Sequence, residues 1–189
     1  GIYFLASNAD LLKILSVDQW GSIPWASMTD AFHNCQNLVI NATDNPNLSG
    51  VSNLNGTFRG CTSLNQGLSA WDVSQVTALF ETFQGCTSFN SDISGWEVSN
   101  VTNMSRTFNG AAAFNQPIGS WNTQNVTDMS VMFSGASAFN QPIGGWDFSN
   151  VQMAVLALGE AVLAGFEPPN ETFLKAQKLY VDRQLPDGG

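Results

Sequence analysis

Trp71 to Gly95 reads WDVSQVTALFETFQGCTSFNSDISG, Trp96 to Ser120 reads WEVSNVTNMSRTFNGAAAFNQPIGS, and Trp121 to Gly145 reads WNTQNVTDMSVMFSGASAFNQPIGG. A fourth copy, starting at Trp146, degenerates after WDFSNVQMAV. A fixed period in this range marks a stacked-repeat architecture, in which each unit buries its apolar side only against its neighbours. Alignment on the word F-x-x-C/A-x-x-φ extends the series backwards. FHNCQNL begins at Phe32, FRGCTSL at Phe58, FQGCTSF at Phe83, FNGAAAF at Phe108 and FSGASAF at Phe133. The intervals are 26, 25, 25 and 25 residues, so five coils are legible, the first with a one-residue insertion near NATDNPNLSG at 41–50.

Within a coil, apolar or small positions run Cys86, Phe89, Ile93, Trp96, Val98, Val101, Met104, Phe108 and Ala111, with steps between 2 and 4. Neither a period of 2 nor one of 3.6 persists, so a path that turns corners fits better than hairpins or helical pairs. The F-N-x-x-I segments (Phe89–Ile93, Phe114–Ile118 and Phe139–Ile143) are the strand candidates. The V-T-x-M-S-x-x-F segments are expected as helical or 3₁₀ turns on the opposite side. This predicts an α/β repeat, a leucine-rich-repeat-like parallel solenoid with a helical cap at each end. The expected organisation is an N-terminal cap at 1–20, repeats at 21–150, and a helical C-terminal cap and tail at 151–189. Leu11, Leu12, Ile14 and Leu15 give the first cap its apolar face, and VQMAVLALGEAVLAGF with ETFLKAQKLYVDR supplies the second.

Stacking turns alignment columns into ladders. The two phenylalanine columns are core. Asn65, Asn90, Asn115 and Asn140 form an amide ladder able to satisfy turn backbone, and a row of ligand-contacting amides is the alternative. Trp71, Trp96, Trp121 and Trp146 fit packing at a coil corner better than an exposed sugar platform. Cys35, Cys61 and Cys86 share a column that continues as Ala111 and Ala136, which points to packed free thiols. Thr57, Thr82 and Thr107, and Thr77, Thr102 and Thr127, make two hydroxyl rows.

The formal net charge is −9 and charged residues are 11% of the chain. Between Lys13 and Lys175 the only cations are Arg59 and Arg106, so the basic footprint of a nucleic-acid binder is missing. No run is apolar for long enough to suggest a membrane span. The first residue is Gly1, which suggests a processed or excised piece. His33 is the only histidine, and the carboxylates near the tryptophans do not have the spacing of a calcium loop. No phosphate loop or nucleophile elbow is present, so no catalytic residue, metal or cofactor is expected. N-x-S/T sequons at Asn41, Asn47, Asn55, Asn100, Asn103, Asn125 and Asn170 matter only where the source glycosylates.

The words WGSIPWASMTDAFHNC, FNQPIGSW and NVTDMSVMF resemble the BspA-family leucine-rich-repeat surface proteins, whose repeat of this length also occurs in Mycoplasma lipoproteins. The resemblance covers roughly Asp18 to Val151 and departs where VQMAVLALGEAVLAGF replaces the next V-T-x-M-S-x-x-F. It implies a secreted or cell-surface protein used for adhesion, binding a protein or glycan, and implies no catalytic residues. The expected partner-binding positions are Gln66, Ser91, Asp92, Gln116 and Gln141, beside Gly67, Pro117 and Pro142. A structural or decorating role, with neighbouring subunits of a virion, appendage or extracellular assembly as partners, is the rival expectation.

Overall fold

The computed structural model describes residues 12, 14–143, 145 and 146. The 25-residue period is a physical stack. Backbone N–H groups reach the neighbouring coil throughout, as in Leu54 N to Ala78 O (3.0 Å), Leu79 N to Asn103 O (2.8 Å) and Met104 N to Asp128 O (2.8 Å). Along one stretch the residues alternate in role. Leu79, Glu81, Phe83 and Gly85 donate to Asn103, Ser105, Thr107 and Asn109 of the next coil. The residues between them, Thr82 and Gln84, close turns onto Leu79 O and Glu81 O three positions back, and Cys86 does the same onto Phe83 O.

That alternation corrects the expected fold class. Among the described residues there is no helix, and the only strands are β1 (Ser16–Val17) and β2 (Val39–Ile40). The expected leucine-rich-repeat-like α/β solenoid is therefore overturned among the described residues, and a stack of turn-built coils stands in its place. The V-T-x-M-S-x-x-F segment fails to become helical because each coil bends through two left-handed residues. Asp30 and Asn34, Glu81 and Gly85, and Arg106 and Gly110 all have positive φ, and Val131 and Gly135 repeat the pattern. A right-handed helix cannot pass through such residues.

The strand side is also corrected. The F-N-x-x-I segments form no strand among the described residues, whereas parallel bridges join Asn53 to Ala78, Ala78 to Asn103 and Asn103 to Asp128, inside V-T-x-M. The cause is local. In F-N-x-x-I, Pro117 and Pro142 have no N–H to give, and coils meet there through asparagine side chains instead. In V-T-x-M, Thr77 N donates back to Ser52 O and Leu79 N forward to Asn103 O, which is the alternation of a parallel bridge.

At the N-terminal side, β1 pairs in parallel with β2, Ser16 opposite Val39 and Val17 opposite Ile40. Of the residues assigned to a first-cap helix, Leu12 is in a turn, and Ile14 and Leu15 are irregular. Leu15 O instead accepts Val39 N at 3.0 Å, so the backbone is committed to the neighbouring coil. Leu11, most of 1–20 and all of the expected cap at 151–189 lie outside the described residues.

The core is a continuous column. Phe32, Phe58, Phe83, Phe108 and Phe133 stack with successive ring centroids 5.6, 5.9, 5.7 and 5.7 Å apart and nearly parallel planes. Phe89, Phe114 and Phe139 form a second column at 5.8 Å spacing, and the columns touch at 4.0 Å between Phe83 and Phe89. The centroid spacing exceeds the ~4.8 Å expected between paired backbones, so the rings lie tilted to the stack axis in offset contact.

Candidate interaction surface

The ladders between the coils decide which side chains remain to meet a partner. In the asparagine column, Asn90 N donates to Asn65 Oδ1 (2.7 Å), Asn115 N to Asn90 Oδ1 (2.8 Å) and Asn140 N to Asn115 Oδ1 (2.9 Å). In the tryptophan column, the indole N–H groups of Trp96, Trp121 and Trp146 donate to Leu68 O, Ile93 O and Ile118 O at 3.0, 3.2 and 3.0 Å. Trp71 is buried too, but its Nε1 has no partner, because its coil follows the irregular segment.

Thr57, Thr82 and Thr107 are fully buried, and each hydroxyl is shared between two coils. Thr82 Oγ1 donates to Leu79 O (2.8 Å) and Leu54 O (3.0 Å), and Thr107 Oγ1 to Met104 O (2.7 Å) and Leu79 O (2.9 Å). The cysteines are free and buried. Cys61 and Cys86 point their thiols at Phe32 O and Phe58 O, 3.0 and 2.9 Å away. Burial pushes the Cys35 thiol up to about 11 and Cys86 to about 12, and it raises Cys61 further. Thiols that hold their protons this firmly are poor nucleophiles at neutral pH.

The glutamine face is less open than its sequence suggests. Gln66 and Asp92 are exposed, but Ser91 is only 7% exposed, turned into the stack. Gln116 Nε2 donates to Asn90 O (2.8 Å) and Asn90 Oδ1 (2.9 Å), and Gln141 Nε2 to Asn115 Oδ1 (3.0 Å). Those amides clamp the asparagine ladder. Asp92 Oδ1 accepts from the hydroxyl and N–H of Ser94, bonds that hold its carboxyl below the usual range. Asp72 and Ser74 repeat that corner one coil earlier.

A second group lies on the turn face beside the bridge ladder, and it is one that motif reading does not announce. Glu81 is 7% exposed, and its two oxygens accept from different arginines, Arg59 Nη1 at 2.7 Å and Arg106 Nη1 at 3.1 Å. Arg59 Nη2 lies 3.7 Å from Asp30 and 3.4 Å from His33 Nδ1. Since arginine has only donors, that histidine nitrogen is the acceptor and His33 is the neutral Nε2–H tautomer. Desolvation first, then the Arg59 charge, lowers its pKa, with Asp30 and Glu81 opposing. Next to Glu81, Phe80 is half-buried yet sits outside the core cluster and outside the hydrophobics packed on it. The signal in the sequence is a column departure: Asn55, Ser105 and Ser130 occupy the position that is Phe80 in the third coil.

Among the described residues no group of His, Cys, Asp and Glu is arranged to hold a metal ion, and no helix is long and apolar enough to cross a membrane. Ladders inside and individual side chains outside define a repeat protein of stacked, turn-rich coils. The chain belongs to the family described as Mycoplasma protein of unknown function, DUF285, whose model matches residues 26–146. No curated protein and no solved structure matches it.

Proposed function

We propose that the chain is a non-enzymatic binding module, displayed outside the cell, of the kind represented by BspA-type surface proteins. The observation that carries this reading is the division of labour within each coil. Phenylalanine, tryptophan, cysteine, threonine and asparagine columns are occupied by packing or by coil-to-coil hydrogen bonds, while exposed columns change from coil to coil. A scaffold that repeats inside and varies outside suits recognition of a protein or glycan surface. Membership of a family whose repeats also resemble Mycoplasma surface repeats supports display. Antibody to the chain should label intact producing cells as strongly as permeabilised ones. Labelling that requires permeabilisation refutes display.

A further inference from the structure

The side chains along the turn face alternate in charge from the first coil to the fourth: Asp30, Arg59, Glu81, Arg106. Each interior member has an opposite charge on both sides. The series then stops. The fifth coil places Val131 where the fourth has Arg106, so the last cation shares one carboxylate with Arg59 and pairs with no further anion among the described residues. Arg106 is also the more open of the two arginines, with 49% of its side chain exposed against 35% for Arg59. Only its Nη1 is used by Glu81, which leaves the Nε–Nη2 edge, the fork that grips a carboxylate with two parallel hydrogen bonds.

Phe80 is the chain neighbour of the carboxylate that holds this arginine. Glu81 N donates to Ser105 O at 3.2 Å, so the third coil's 80–81 step lies against the fourth coil's 105–106 step. A partly buried aromatic outside the core cluster, in the coil next to a positioned arginine, has the composition of an interface anchor. The two known cations among the described residues, Arg59 and Arg106, are both here, on a chain of net charge −9.

We propose that Phe80 and Arg106 form the docking spot for a protein segment that presents a carboxylate beside an apolar side chain. The carboxylate completes the charge alternation at Arg106 and the apolar group covers Phe80. This rests on the binding-module reading and locates its partner face away from the glutamine ladder. A protein segment can present a carboxylate and an apolar side chain on neighbouring residues, which matches the one cation and one apolar ring offered here, and a glycan stacked on the ring is the other outcome of the test.

The test uses the whole chain, panned against displayed random dodecapeptides and, separately, against an array of sialylated and uronate glycans. Enriched peptides should carry Asp or Glu next to an aromatic or aliphatic residue. Their binding should weaken at least about tenfold in Phe80→Ser, which installs the residue of the next two coils, and in Arg106→Lys. The lysine keeps a positive charge for Glu81 and removes only the fork, so its thermal midpoint should stay near wild type while affinity falls. Gln75→Arg, at an exposed position outside this cluster, should bind normally. Peptides insensitive to both variants overturn the site and leave the module reading intact, as does binding of acidic glycans without peptides. Absence of any peptide or glycan binder overturns both.

Discussion

Val131 is a β-branched residue held at φ 57°, a region in which a branched side chain crowds its own backbone. The equivalent positions are Asp30, Gly56, Glu81 and Arg106, all with φ between 52° and 60°, so the conformation is imposed by the stack and not by any one residue. Forcing an L-residue there costs roughly 1–2 kcal/mol, and more for valine than for the unbranched residues of the column. Glycine removes that cost but gives back about 0.5–1 kcal/mol through the entropy of the unfolded chain. Val131 is half-buried and belongs to no core column, so little packing is lost. Val131→Gly should therefore stabilise by a net of about 0.5–1 kcal/mol, which raises the thermal midpoint by roughly 1–4 °C in a chain of this size. Differential scanning calorimetry at pH 7 reads this directly. The reverse exchange provides the contrast: a Cβ at Gly56 runs into the Asp30 carboxylate besides being strained, so Gly56→Ala should lower the midpoint. A Val131→Gly midpoint at or below wild type would refute the claim that left-handed backbone is a strained, position-specific demand of every coil.

Thr107→Val removes a hydroxyl shared by Leu79 O and Met104 O, and denaturant titration should report a loss of about 1–3 kcal/mol. Little or no loss would mean that the carbonyls of the stack do not need that donor. The raised thiols of Cys35 and Cys86 favour the folded state while protonated, so their contribution is intact below the ordinary value of 9.0 and is lost between there and about 11 to 12. Urea midpoints should fall across that window in wild type and fall less when all three cysteines are replaced by alanine, the residue of the last two coils. His33 has a lowered pKa, so its contribution is present above 6.5 and is lost as pH falls through the folded value. His33→Gln should match wild type above pH 7 and lose less stability below pH 6; parallel curves would show that neither burial nor the Arg59 charge lowers the histidine's pKa.

The period in the sequence and the period in the hydrogen bonds are the same quantity, which is why the stack was legible. A column such as Phe58, Phe83 and Phe108 recurs because each ring rests on the one before. The local backbone was not legible, because the residues that turn it do not announce themselves. Glu81, Arg106 and Val131 are left-handed at a position where no residue type is favoured in common, so V-T-x-M-S-x-x-F looked like a helical turn. The F-N-x-x-I word looks like a strand because its ends are apolar, yet its prolines withhold the N–H groups a strand would use and its asparagine side chains make the contacts instead.

The same distinction separates architecture from recognition. Whatever every coil needs must recur, so repetition identifies packing and self-pairing, and Gln116 and Gln141 show how far that reaches: two polar side chains on an outer column turn back to brace the asparagine ladder. A recurring polar residue is thus weak evidence for a ligand, since the neighbouring coil is always the nearest partner available to it. The information that distinguishes this chain from any other stack of its kind has to reside where one coil departs from the rest and the departure is not absorbed by the core. Phe80 meets both conditions, and Arg106 meets them with half of its guanidinium uncommitted. Glu81 does not: it departs from its column as well, but both of its oxygens are taken by the stack's own arginines, and it serves to aim the fork that a partner would meet.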